Sequence, residues 1–233
     1  MKKHGPKSRE KPRGTASATP RKNLRAAPRP LTEDDFRRRD GELLHIVDNW
    51  LDRANERGGA HIACRPGCAQ CCLGVFAISR LDALRLQQGL NELADRDPQR
   101  AQSVLQRAVE SLERTIDDFP GDVETGILDD SPEADEVFEE YANDEPCPAL
   151  DPTTQTCDLY AHRPMTCRVF GPPVRSDGGL GICELCFIGA SAEEIAAAEV
   201  PLEGELLESA LNDDLEKTIA AGRTIVAFAL LGA

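Results

Sequence analysis

Apolar positions along the chain fall mainly at helical spacing. After Thr32-Glu33-Asp34-Asp35, the residues Leu43, Val47, Trp50, Leu51 and Ala54 recur three or four apart, and Gly58-Gly59 ends the run. This predicts an amphipathic helix of about 25 residues, opened by a capping box in which Asp35 replaces the usual Glu. Trp50 reads as a core residue. Ser79-Arg80-Leu81-Asp82 caps a second helix, carried to Asp95 by Leu81, Leu84, Arg85, Gln88 and Leu93. Asp97-Pro98 sets a capping residue before a first-turn proline. Ala101, Val104, Leu105, Ala108 and Leu112 then form a third helix that stops near Phe119-Pro120-Gly121. Val137, Phe138 and Tyr141 mark one docked helical turn, and Ser191-Ala192-Glu193-Glu194 caps a fourth helix. A final helical region is expected over about 203–231, with Leu206, Leu207, Leu211, Leu215 and Ile219 as its buried face. The apolar piece Thr224–Ala233 reads as the buried end of that helix. No long alternating segment occurs, so the expected fold class is mainly α with few or no strands.

Composition narrows this picture. The chain has 233 residues, enough for one domain with extensions. Aromatics are 4%, so the core must be chiefly Leu, Val, Ile and Ala. The net charge of −14 is unevenly spread: residues 1–30 hold ten Lys/Arg and one acid, which leaves −23 for the remainder. Three regions follow as an expectation. Residues 1–30 are a disordered, Pro-rich basic tail without the apolar area to offset ordering entropy. Residues 31–190 form a cysteine-cluster domain with an N-terminal helix and an acidic insert. Residues 191–233 form a C-terminal helical extension packed on it. The acidic body is not a nucleic-acid-binding profile, so only the tail is left for weak contact of that kind. Residues 121–146 carry eleven acids and no base, the pattern of a solvated loop. No apolar stretch approaches the roughly 18–20 residues of a membrane helix, and residues 1–30 contain no apolar run of the secretory kind. The expectation is therefore a cytoplasmic protein in a reducing compartment, where nine cysteines, an odd number, do not form a paired disulfide set.

Those cysteines carry the chemistry. Four fall in Cys64-Arg65-Pro66-Gly67-Cys68-Ala69-Gln70-Cys71-Cys72. The Pro66-Gly67 turn brings two sulfurs together and aims backbone N–H groups at them. Cys68 and Cys71 share a face if the chain coils there. Cys71 and Cys72 are neighbours that point apart, so they do not grip one mononuclear ion together. One of the two belongs to a second metal, to a cluster or to packing. A second block holds Cys147-Pro148-Ala149-Leu150, Cys157-Asp158-Leu159-Tyr160 and Arg163-Pro164-Met165-Thr166-Cys167-Arg168. A third is Cys183-Glu184-Leu185-Cys186, with knuckle spacing. Thiolates are soft ligands suited to zinc or to iron–sulfur clusters, so all nine are candidate metal ligands. Arg163 and Arg168 flank Cys167 and are candidates for neutralising thiolate charge, with carboxylate pairing as their other reading. His61 precedes the cluster; imidazole completes some thiolate sites, although a lone histidine is more often structural. No residue receives a catalytic role. A metal staple of this extent predicts that chelation unfolds the chain.

The combination Cys-x3-Cys-x2-Cys-Cys, then Cys-Pro-x-Leu, then Cys-x-Leu-Tyr-x-x-Arg-Pro-x-x-Cys-Arg resembles the YkgJ-type cysteine-cluster proteins. These carry a zinc- or iron-chelating domain of the CxxCxxCC type. The resemblance spans about residues 64–186. It implies that Cys64, Cys68, Cys71, Cys72, Cys147, Cys157 and Cys167 occupy the family's cysteine positions; Cys183 and Cys186 are a looser match. The implied cofactor is zinc or iron, and the implied function is metal binding without a defined cellular role. One branch bearing this domain is associated with methylation of flagellin lysines. That yields an enzyme alternative in which Cys64, Cys68 and Cys71 hold a [4Fe–4S] cluster for S-adenosylmethionine. Enzymes of that kind are usually built on alternating strands and helices, which this sequence lacks.

Overall fold

Five helices begin where the sequence supplies a side-chain acceptor for their first N–H groups. The computed structural model of the chain describes residues 32–176, 179–200, 203–218 and 221–232; the tail expected to be disordered over 1–30 lies outside them. Helix α1 spans Glu33–Gly58 and α2 spans Arg80–Arg96, each behind a two-way capping box, Thr32 with Asp35 and Ser79 with Asp82. Helix α3 covers Pro98–Thr115, with the Asp97 side chain on the Arg100 N–H. Ser131 caps α4, Pro132–Glu140, and Ser191 caps α6, Ala192–Ala197. Between these lies a single short turn of helix, α5, Met165–Val169.

The final helical region is the main departure from the sequence pattern. It is two helices, α7 over Glu203–Glu216 and α8 over Val226–Leu231. Between them Gly222 takes φ +110°, and a Cβ there would meet Ile127 Cγ2 at 2.7 Å. Thr224–Ile225 then pairs antiparallel with Ala77–Ile78. Leu211 and Leu215 are buried as expected, Leu207 is exposed, and the side chains of Leu206 and Ile219 lie outside the description. The stretch 121–146 is more structured than a solvated loop: a ladder of Gly121–Asp122 with Ile127–Leu128 precedes α4. Every strand is two or three residues long, and the described residues contain no alternating strand–helix barrel.

Helices α2, α3 and α8 pack together around Leu86, Leu90, Leu93, Val104, Ala108 and Ala229. Helix α1 packs on α7 through Phe36, Leu43, Val47, Leu51, Leu211 and Leu215, with Trp50 half-buried at the margin. Each such aliphatic burial is worth about 1.5–3 kcal/mol before ordering entropy is counted. A third cluster holds Phe119, Leu128, Tyr141 and Phe228.

One ion group is sealed between α1, α2 and α7. The Arg85 side chain is 3% exposed. It donates to Asp40 Oδ1 at 2.6 Å, Asp82 Oδ1 at 2.6 Å and Glu208 Oε1 at 2.7 Å. Three carboxylates share one cation, and Glu208 bears the imbalance. Burial, then Asp82, raises its pKa from an ordinary 4.5 to about 7, and Arg85 only partly opposes them. The folded chain thus keeps a proton that the unfolded chain releases near 4.5, so this contribution to stability falls as pH rises from about 4.5 to 7. Glu208→Gln should flatten that slope. Between pH 5 and 7.5 the wild type should lose on the order of 2 kcal/mol relative to the variant in urea melts. Parallel pH profiles for the two proteins would remove Glu208 from the account.

Candidate metal centre

Arginines spaced seven apart on α3 set the second cysteine block in place. A seven-residue interval returns to the same helix face. Arg114 clamps Glu145 through Nε at 3.1 Å and Nη2 at 2.6 Å. Arg107 donates to Pro148 O at 2.8 Å and to Asp158 Oδ2 at 2.6 Å. Arg100 also pairs with Asp158, whose side chain is 1% exposed. Cys147 follows Glu145, and Cys157 adjoins Asp158, so α3 fixes both thiols through their neighbours. The sequence reading missed these arginines. Their regular spacing, opposite acids at 145, 151 and 158, was the available signal.

The chain around Cys72 docks onto this block. Gly74 N–H donates to Glu145 O at 2.9 Å, and Cys147 N–H donates to Cys72 O at 2.8 Å. Leu150 pairs with Cys157 across a two-residue ladder. The Tyr160–His162 turn lies against α2 at Gly89, where a Cβ would come 2.6 Å from His162 Cβ. Helix α5 then carries Cys167, and its Met165 N–H donates to Asp82 Oδ1 at 2.8 Å. Asp82 therefore ties the Arg85 ion group to the segment that bears Cys167.

The third block lands elsewhere. Cys186 N–H donates to Cys183 O at 2.8 Å, Phe187 N–H to His61 O at 2.8 Å, and Ala63 N–H to Cys186 Sγ at 3.3 Å. Cys183 N–H reaches Gly171 O at 3.4 Å. Gly171 takes φ +133°, and a Cβ on it would sit 2.8 Å from Cys64 Sγ. A side chain there would push the Cys64 sulfur out of place.

Eight of the nine cysteines, all but Cys186, line one cavity of about 1010 Å³. All nine are free thiols: Cys64 is exposed, Cys183 and Cys186 are buried, and the other six are half-buried. Among the described residues no three Cys, His, Asp or Glu side chains are closed into a ligand shell. The thiols nevertheless feel one another. Burial, then Cys186, Cys183 and Cys68, push Cys64 up to about 12. Burial also raises Cys183, with Cys186 and Cys68 adding to the effect. Cys72 is raised by its hydrogen bond with Cys71, by burial and by Cys147 and Cys157. Burial and Cys157 push Cys147 up to about 12. Cys157 and Cys167 also rise, each chiefly through burial. Cys71 moves the other way, down to about 6, because Cys72 hydrogen-bonds its sulfur and Arg163 faces it. Backbone N–H groups point at several sulfurs: Ala149 and Leu150 at Cys147, Leu159 at Cys157, Leu185 at Cys183.

Arg163 lines the cavity, stacks on the Tyr160 ring at 3.9 Å and acts on both Cys71 and Cys157. Arg168 also borders the cavity, but its guanidinium pairs with Asp48 at 2.7 Å and Ala161 O at 2.6 Å. His61 stacks on Phe187 at 5.7 Å and reaches Glu194 at 3.4 Å.

A family model described as "Putative zinc- or iron-chelating domain", of CxxCxxCC type, matches residues 63–177. That span holds the first seven cysteines and excludes Cys183 and Cys186. No curated protein and no solved structure matches the chain. No described helix is long and apolar enough to cross a membrane.

Proposed function

We propose that the chain, whose residues 63–177 match the model of the CxxCxxCC zinc- or iron-chelating domain, is a metal-binding protein whose thiolates hold zinc or iron in and beside the cysteine-lined cavity. The observation that carries this reading is the convergence of eight free thiols, from three separate stretches, on one cavity. The donor set fits the group. Sulfur ligands suit zinc and iron, and N–H groups aimed at sulfur stabilise the thiolate form that metal requires. Cys64, Cys68, Cys71, Cys72, Cys147, Cys157, Cys167, Cys183 and Cys186 supply the ligands. Arg163 places its positive charge beside the thiolates. Arg168, paired with Asp48, anchors the turn of helix next to Cys167. Bound metal would supply the cross-link that holds these loops to the helices. The protein sits best as a metal-organised binding module.

Two observations weigh against the enzyme alternative. The described fold is helical, without a barrel. Cys64 and Cys68 also neighbour Cys183 and Cys186, whereas Cys71 neighbours Cys72. Anaerobic purification followed by elemental analysis and a visible spectrum tests the reading. The expected result is at least one equivalent of zinc or iron, colourless for zinc and brown for an iron–sulfur cluster. A folded, metal-free protein with nine titratable thiols would sink it, and a spectrum that changes with S-adenosylmethionine would restore the enzyme alternative.

A further inference from the structure

We propose that the nine thiols serve two separate metal centres: a tetrathiolate site of Cys64, Cys68, Cys183 and Cys186, and a five-thiolate site of Cys71, Cys72, Cys147, Cys157 and Cys167. This rests on the metal-binding reading and extends it to two cysteines outside the family match.

The backbone separates the two sets. The Cys64 side of the first stretch is held by the third block: Ala63 N–H donates to Cys186 Sγ at 3.3 Å, and Phe187 N–H donates to His61 O at 2.8 Å. A small apolar cluster of Ile62, Ala63, Cys183, Cys186, Phe187 and Ala198 seals this junction. Gly171 touches both partners, with its carbonyl on Cys183 N–H and its Cα face against Cys64 Sγ. The Cys72 side is held by the second block, through Cys147 N–H to Cys72 O at 2.8 Å. There Cys147 and Cys157 pack on the α2–α3–α8 core instead. The dividing point is the short Ala69–Gln70 link, after which the chain turns, with Cys72 N–H on Ala69 O at 2.9 Å.

The two sets call for different chemistry. Cys-x3-Cys joined to a Cys-x2-Cys knuckle gives four sulfurs, the full complement of a tetrahedral zinc-type ion, with no open position. Leu185 N–H and Ala63 N–H lie on its sulfurs to offset the double negative charge of such a centre. Five thiolates exceed one tetrahedral ion. The second set has Arg163 beside it. It therefore suits a polynuclear centre, or one ion with a thiol to spare.

Differential alkylation of the wild-type full chain tests the division. Reduced, metal-free protein is titrated anaerobically with zinc, and the unprotected thiols at each step are alkylated and mapped by mass spectrometry. Protection should appear in two blocks, with Cys64, Cys68, Cys183 and Cys186 moving together and the other five moving together. The double variant C183S/C186S, checked for native helical signal, should lose one zinc equivalent and leave Cys71, Cys72, Cys147, Cys157 and Cys167 protected as before. Protection of Cys64 or Cys68 in step with the Cys71 block would overturn the two-centre proposal while leaving metal binding intact. The same holds if the folded variant loses all its metal. Absence of protection at every thiol would overturn both this proposal and the metal-binding reading.

Discussion

Chelation of the metal under reducing conditions should release the cysteine loops and leave most of the helical signal in place. Hydrogen exchange should rise steeply over about residues 61–76 and 145–190, while α1, α2, α3 and α8 stay protected. The sequence alone suggested a wider collapse, because binding energy of a structural metal, on the order of 10 kcal/mol, rivals the whole stability of a domain. The packing narrows that expectation. The α1–α7 cluster and the Phe119–Phe228 cluster contain no cysteine, and Cys147 and Cys157 only border the α2–α3–α8 cluster. The Cys183–Cys186 knuckle, in contrast, fully buries only Phe187 and Ala198 beside its thiols, with Ile62, Ala63, Ile182, Ala190 and Ile195 partly buried against them. Apolar area of that size does not repay the entropy of ordering the loop. Loss of the helical signal together with loop protection would mean that α3, through Arg107 and Arg114, couples cage and core into one cooperative unit. Unchanged exchange in the loops would remove the metal as a staple.

What the chain announces about itself is mostly local. Thr32, Ser79, Asp97 and Ser191 each mark a helix start because the cap is made by residues three apart. The thiol blocks were equally visible, but adjacency suggested that Cys71 and Cys72 point apart, whereas the Cys72 thiol hydrogen-bonds the Cys71 sulfur. The partition of thiols was not visible, because it depends on contacts between positions more than a hundred residues apart, such as Ala63 with Cys186. Spacing within Cys64–Cys72 leaves one thiol for a second metal, a cluster or packing; the fold turns the two ends of the stretch toward different partners. The split between α7 and α8 was hidden for a related reason. Helical periodicity continues through both, and Gly222 at φ +110° together with the pairing of Thr224–Ile225 with Ala77–Ile78 breaks it. Arg85 fell on the apolar stripe of α2 in the sequence pattern, which gave its burial but not its three partners.

Replacing Arg85 by methionine should cost about 3–5 kcal/mol, since it leaves buried carboxylates without their cation. Asp40 and Asp82 are each within 2.6 Å of the guanidinium, and the Arg85 side chain is 3% exposed, so water cannot substitute for the lost charge. Methionine keeps most of the volume, which separates the electrostatic loss from a cavity effect. The loss should be read in urea melts of the metal-loaded protein. The double variant D40L/R85M should recover part of it, because removing both members of a buried pair relieves the unpaired charge. Recovery should stay incomplete. Asp82 also accepts from Ser79 in the α2 cap and from Met165 N–H at 2.8 Å, so it stays buried without its cation in the double variant. R85M should therefore also loosen the segment bearing Cys167, seen as faster alkylation of that thiol relative to Cys183. A cost below about 1 kcal/mol, within the range of an exposed ion pair, would show that this group is hydrated and that α2 does not hold Cys167 through Asp82.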